Sequence, residues 1–362
     1  MKNKSDLFIV CGERSGDLHG SELVKEILKI NPQIKIHCWG GELMKSSGAK
    51  LIEDYSSYSI MGFVEVFKKI FFLYNKIKKC ESDILKLNPK RVLLIDFPGF
   101  NLRIAKFCKR NKIDVDYLIP PKTWAWNSRR NLILKKNINN IYSILPFEKK
   151  YFSKEGVEVS YIGNPLIYRI KKNSIKKNRN YIGLFPGSRG SEIKYSLPIF
   201  IELIKYFVKE DFIVFGVSNL NSSSYDIISK FSNVKMVFDD TYVSLNQCKY
   251  AVVMSGTASL EVSLMRVPHI VVFKASNLSY FIAKLLVKLK FFSLVNIIME
   301  KEVVKELIQD KFNFENIKNE LNYLKKDETQ RKMIDDFNDL SEIIGDQKSS
   351  EKLAKIISEK IL

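Results

Sequence analysis

Five short stretches hold residue types that could bind and activate a phosphorylated sugar. The first, GERSGDLHG at 12–20, gathers a carboxylate, a hydroxyl and glycines, including Glu13, Ser15 and Gly16. Its glycines permit a tight turn and close backbone approach, and the N-terminus of a following helix can hold a negative group. It lacks GxGxxG spacing, so an ordinary strand-to-helix turn stays open. The second is Asp96, which closes the apolar run RVLLID. A carboxylate there could take a proton from a sugar hydroxyl as general base, or simply tie down the next turn.

The third stretch, LFPGSRGSEI at 184–193, sets Gly187, Ser188 and Arg189 between an apolar run and a helix start. Arg189 could grip a diphosphate and offset charge developing on a departing nucleotide, which needs no metal; the alternative is a surface arginine on a turn. In the fourth, MSGTASLE at 254–261, Ser255, Gly256 and Thr257 open a helix and Glu261 lies one turn on, within reach of ribose hydroxyls. Plain capping by Ser255 or Thr257, with Glu261 complementing the helix dipole, is the other reading. The fifth, PPKTWAWNSRR at 120–130, sets Trp124 and Trp126 beside Lys122, Arg129 and Arg130. That mixture suits a phosphorylated sugar, single-stranded nucleic acid or a core turn with a basic rim, and taken alone it favours the core turn. Asp114-Val115-Asp116 matches the metal-holding DxD pattern but precedes a strand, at the wrong edge of a parallel sheet. It reads as a solvated strand start, and no metal is expected.

The elements that must position these residues alternate as strand and helix, the signature of a mostly parallel sheet covered on both faces. Strands are expected at Asp6–Cys11, Arg91–Asp96, Asp116–Ile119 and up to Ser143–Pro146, with helices from Leu18 to Ile30 and from a cap at Asn101 to about Arg110. The polar run KKNSIKKNRN at 171–180 reads as a linker. Beyond it come strands Tyr181–Phe185, Phe212–Val217, Tyr250–Met254 and His269–Phe273, a helix over Glu192–Lys209, and a last helical pattern within Lys348–Leu362. The expected organisation is one wound domain at 1–170, a second at 181–345, and a terminal helix at 346–362 returning to an N-terminal domain, its own or that of a second copy in a homodimer. A chain of 362 residues with 46% hydrophobic content is more than one core usually supports.

Composition narrows the setting. The five scattered cysteines form no CxxC pair, and the three histidines have no metal-ligand spacing, so reduced thiols in a cytosolic protein are expected. No signal-peptide pattern and no window of roughly 18 apolar residues is visible, which leaves only peripheral membrane contact. The net charge of +19 suits phosphate-bearing partners, although lysine spread along the whole chain fits a compositional bias equally well. The segment Met61–Lys79 carries Phe63, Phe67, Ile70, Tyr74 and Ile77 at helical spacing, with Phe71 and Phe72 in addition. It reads as a basic amphipathic helix for an anionic membrane surface or acyl chains, or as a helix buried on two sides.

Taken together and in order, these stretches resemble one family from end to end, lipid-A-disaccharide synthase. The matching segments are GERSGDLHG, WGGELMKSSG at 39–48, MGFVEV at 61–66, IDFPGFN at 95–101, WAW at 124–126, LPFE at 145–148, FPGSRGSEI, SGTASLE and LVNIIMEKEVVKELIQ at 294–309. The resemblance implies the GT-B fold, two Rossmann-like doubly wound α/β domains facing a crevice. It implies transfer of a sugar from UDP-2,3-diacylglucosamine to the 6-hydroxyl of 2,3-diacylglucosamine 1-phosphate (lipid X) with inversion, at the cytoplasmic face of the inner membrane, with no cofactor and no nucleic acid. By motif, Asp96 becomes the general base. Arg189, with Gly187 and Ser188, contacts the UDP diphosphate, and Ser255, Gly256, Thr257 and Glu261 hold the rest of the donor. Glu13, Ser15, Gly16, His19, Trp126 and Asn296 become crevice residues, and Met61, Phe63, Phe67, Phe71 and Phe72 the acyl or membrane patch. The chain departs from the family pattern at Arg14, Asn127 and Asn164. Rival readings are a sugar-nucleotide epimerase, which shares fold and UDP site but makes no disaccharide, a salt-sensitive nucleic-acid-binding module, and a structural membrane-surface protein.

Overall fold

The computed structural model describes residues 4–58, 70–172, 179–217, 225–238, 241–276, 280 and 289–362. The chain forms two compact units, Met1–Pro165 with Gln347–Leu362, and Leu166–Asp346. The helix Pro165–Lys172 spans the first division, and residues 173–178 of the expected linker lie outside the described residues.

In unit 1 the described residues form a parallel sheet of β1 (Leu7–Val10), β2 (Ile36–Gly40), β3 (Lys50–Asp54), β4 (Arg91–Ile95), β5 (Asp114–Leu118), β6 (Asn140–Ser143) and β7 (Ser160–Tyr161), in the order β3-β2-β1-β4-β5-β6-β7. Its central strands are apolar throughout because helices cover both faces. Their residues alternate between two cores. Phe8, Val10, Val92 and Leu94 face Phe100, Ile104 and Ile84, whereas Leu7, Ile9, Leu93 and Ile95 face Leu23, Ile27, Leu353 and Ile357. The last two belong to the helix Ser349–Ile361, which packs against the helix Arg14–Ile30.

Unit 2 repeats the plan with β8 (Tyr181–Phe185), β9 (Asp211–Phe215), β10 (Val234–Val237), β11 (Cys248–Met254), β12 (His269–Phe273) and β13 (Lys305–Ile308), all parallel, in the order β10-β9-β8-β11-β12-β13. No helix among the described residues is long and apolar enough to cross a membrane.

Three local expectations need correction. The first helix begins at Arg14, not Leu18, so Ser15, Gly16 and Asp17 are helical rather than part of a turn. Gly16 allows this start, since a Cβ there would lie 2.8 Å from the Cys11 Cβ. Asn101 does not cap its helix, which starts at Pro98; its amide points back to donate to the carbonyls of Val10, Ile95 and Asp96. Asp116 is not a solvated residue ahead of a strand. It lies fully buried within β5 and pairs with the buried Arg91 at 2.9 Å, while Asp114 takes a second nitrogen of the same guanidinium.

Candidate active site

In unit 1, β1 and β4 are neighbours, yet the chain leaves them toward opposite edges of the sheet. Such a switch opens a crevice beyond the carboxyl ends of the strands. Glu13 follows β1 and Asp96 follows β4. Asp96 and Phe97 both adopt left-handed backbone, with φ of 46° and 48°, which costs a non-glycine residue about 1 kcal/mol or more. Three hydrogen bonds hold Asp96 there. Its N–H donates to the Leu118 carbonyl (3.0 Å), and its own carbonyl accepts from the Tyr117 hydroxyl (2.6 Å) and the Asn101 amide (2.8 Å).

The same turn swings the Phe97 ring over Gly12, where any Cβ would fall 2.2 Å from a ring carbon, and stacks it on Phe100. Glycine at 12 is therefore demanded by an aromatic ring, and the GERSGD and IDFPGF motifs form one piece of structure. The half-buried Asp96 carboxyl is pushed up to about 6, chiefly by burial and then by the Glu13 charge, while Lys122 and the Phe97 N–H pull the other way. Glu13 itself accepts the Ser15 hydroxyl, and His19 sits half-buried in the second turn of the same helix.

The aromatic stretch divides. The Trp124 indole donates to Glu148 at 2.8 Å and meets Phe147 edge-on, whereas Trp126 is 37% exposed with the Arg130 guanidinium 4.7 Å over its ring. Glu148 is buried, accepts the Ser143 hydroxyl as well, and is raised to about 7, first by burial. The Asp96 charge also raises it and Lys122 opposes, so Glu13, Asp96, Lys122 and Glu148 share one electrostatic neighbourhood.

In unit 2 the adjacent strands β8 and β11 form the equivalent switch, and each is followed by one of the other motifs. After β8, Gly187 takes φ +109°, and the Glu192 carboxylate accepts the N–H groups of Ser188 (2.8 Å) and Arg189 (3.2 Å). Two donors of this loop are thus already taken from within the protein. Arg189 caps the helix Gly190–Tyr206, and its 70%-exposed side chain pairs with Glu192 at 3.1 Å. After β11, the Ser255 N–H donates to Val272, and Gly256 borders open space, since a Cβ added there would meet nothing within 4 Å. Thr257 begins the helix Thr257–Leu264, and Glu261 accepts the Tyr242 hydroxyl at 3.4 Å; burial raises its carboxyl, opposed by Arg169.

Asn296 requires a correction. It is fully buried, and all four hydrogen-bonding valences of its amide are spent inside unit 2: it donates to Val304 and Glu306 and accepts from Val303 and Val304. It braces a loop and has no capacity left for a ligand. On the helix Ile70–Leu87, Phe71 and Phe72 are 83% and 41% exposed, while Ile77, Cys80 and Ile84 face the core. Met61, Phe63 and Phe67 lie outside the described residues. Among the described residues no three His, Cys, Asp or Glu side chains gather as a metal cluster.

The family profile described as "Lipid-A-disaccharide synthetase" matches residues 7–361. The chain belongs to the lipid-A-disaccharide synthetase family. A lipid-A-disaccharide synthase of Geobacter metallireducens is 32% identical across 98% of this chain and 96% of its own. Among solved structures, UDP-GlcNAc 2-epimerase from Neisseria meningitidis bound to UDP-GlcNAc matches with a TM-score of 0.67 at 16% identity, covering 98% of this chain and 99% of that one. CalG4, the calicheamicin glycosyltransferase, gives 0.62 at 13%, covering 99% and 98%. At such identities the likeness shows the fold alone, the two wound domains of GT-B glycosyltransferases, so the epimerase likeness carries no activity with it. As a synthetase-family member the chain is a glycosyltransferase of lipid A biosynthesis.

Sequence reasoning missed two residues that tie the synthetase-family motifs together. Asp17 is buried and accepts the N–H groups of Gly41 (2.9 Å), Leu43 (3.1 Å) and Met44 (3.2 Å), which binds GERSGD to WGGELM. Glu148 stands in the LPFE match, which by itself assigns it no role. A glutamate two residues after a proline that begins a helix, behind a strand ending in serine, was the available signal.

Proposed function

We propose that unit 1 binds 2,3-diacylglucosamine 1-phosphate and that Asp96 takes the proton of its 6-hydroxyl. As that oxygen forms its bond to C1 of UDP-2,3-diacylglucosamine, the bond from C1 to the diphosphate breaks and its electron pair leaves on UDP, with inversion at C1. The observation carrying this reading is the Asp96 turn, a strained backbone held by three hydrogen bonds that sets a carboxyl of pKa about 6 at the switch point. A base tuned toward neutral pH is what proton abstraction in the transition state needs. Unit 2 takes the donor: Arg189 with Gly187 and Ser188 meets the diphosphate, and the Ser255–Thr257 turn with Glu261 meets the ribose. Glu13, Ser15, Gly16, His19 and Trp126 border the acceptor.

Attachment to the anionic cytoplasmic face of the inner membrane is supported by the exposed Phe71, Phe72 and Tyr74, with Lys76 and Lys78 over aromatic rings of the same helix, and by the net charge of +19. The test is formation of disaccharide and UDP from the two diacylglucosamine substrates in EDTA, for wild type and Asp96→Asn. Wild type should make product, and the variant should lose about 10²–10⁴-fold in kcat. Because the change removes a charge that burial disfavours, the unfolding temperature of the variant should not fall. Equal turnover by both proteins would sink the base assignment, and no disaccharide from wild type would sink the reaction.

A further inference from the structure

A second feature of unit 1 is not used by the proton transfer. Between the helices Pro98–Arg110 and Arg130–Asn137 lies a cleft of about 320 Å³, lined by Pro98, Gly99, Arg103, Lys106, Asn127, Arg129 and Arg130 with two aliphatic side chains. Four of these residues are cations. Elsewhere in the same unit the buried Arg91 meets two carboxylates, but none of the four cleft cations has a carboxylate partner among the described residues. Arg130 is held over the Trp126 ring instead, half-buried, and burial pulls its pKa down, a penalty that a bound anion would offset.

The first turn of a 13-residue helix lines the cleft; Pro98 has no N–H and those of Phe100 and Asn101 donate to the Phe97 carbonyl, which leaves the Gly99 N–H to face a ligand. A Cβ at Gly99 would meet nothing within 4 Å, so the backbone there is open to approach. We infer that this cleft is a phosphomonoester subsite, with Arg103, Lys106, Arg129 and Arg130 as its cations, which holds the phosphate of the acceptor sugar while Asp96 faces its hydroxyl. The inference rests on the reading of Asp96 given above. The two places are close, because Pro98 follows Asp96 by two residues and their Cα atoms are no more than roughly 8 Å apart. Arg130 and Asp96 also both act electrostatically on Tyr117, whose hydroxyl donates to the Asp96 carbonyl, so the cleft and the carboxyl adjoin one side chain.

The experiment uses the full chain and the double variant Lys106→Gln/Arg129→Gln, both exposed positions whose change leaves the core intact. In neutral detergent micelles, KM for the phosphorylated acceptor should rise about tenfold or more, with kcat and donor KM within about threefold, since charge-assisted contacts to phosphate are lost. KM for phosphate-free diacylglucosamine should be the same for both proteins. Equal losses on the two acceptors, or no loss on either, would overturn the assignment. So would a loss seen only with phosphatidylglycerol vesicles, which would make the cleft a lipid-headgroup site. A phosphorus NMR titration with glucosamine 1-phosphate needs no turnover: weaker binding by the variant supports the subsite, and equal or absent binding in both proteins rejects it. It judges the cleft even if wild type makes no disaccharide, the result that would remove the proposed reaction alone.

Discussion

The two switch points occupy the same place in two similar sheets, yet they are built from opposite materials. Beyond β4 in unit 1, a left-handed turn is clamped by backbone and side-chain hydrogen bonds, and its carboxyl is displaced upward by burial and by Glu13. Beyond β8 in unit 2, the carboxylate Glu192 is folded inward onto two N–H groups, and the solvent-facing group is the Arg189 guanidinium. Common topology therefore fixes where residues stand but not what they do. The turn in unit 1 carries a carboxyl displaced by burial, and the turn in unit 2 presents an exposed guanidinium.

The sharpest way to break this contrast is Arg189→Ala. In the role proposed for it at the donor diphosphate, loss of this cation should lower kcat/KM about 10²–10³-fold without moving the pH profile. A shifted profile would show that the titrating group and Arg189 are coupled, and the division of labour would fail. The pH dependence of wild type comes next. Asp96 must be ionised to accept a proton, so kcat/KM should fall about tenfold per pH unit below a midpoint near 6 and level off above it. A flat profile between pH 5 and 8 would remove Asp96 from that role. The smallest effect belongs to Glu148→Gln. Glu148 is raised to about 7 and is still mostly protonated, hence neutral, where Asp96 titrates near 6, so a neutral amide at 148 should move the acid midpoint by no more than about a tenth of a unit. A midpoint lowered by about half a unit or more would mean that Glu148 is ionised while Asp96 titrates.

How much of this was legible in the sequence depended on the range of the interaction. Asp96 and Arg189 stand directly after short apolar runs, and a parallel sheet places such residues at its carboxyl edge, so type and position could be read together. Asp116 could not be read that way, because its partner Arg91 lies on a neighbouring strand and only strand pairing brings them together. Asn296 stood in a matching motif, but the bonds that occupy its amide come from residues 303–306 across a loop. Asn101 reads as a cap by type and spacing, whereas proline at the first helical position already begins the helix and frees the amide for the Asp96 carbonyl. The strained turn at 96–97 carries no local mark at all, since neither residue is glycine and the bonds that hold it come from Tyr117, Leu118 and Asn101.

The helix Ser349–Ile361 has a consequence for biogenesis. It supplies Leu353, Ala354, Ile357 and Ile361 to the same apolar cluster as Leu23, Val24 and Ile27, yet it is translated only after all of unit 2. While the ribosome makes residues 166–346, the nascent unit 1 carries an uncovered greasy face on its first helix, and unit 2 is the earlier of the two to have its whole sequence available from within itself. Unit 1 should therefore close only after unit 2 has been synthesised, so that of the two halves the one carrying the tuned carboxyl is the later to become native.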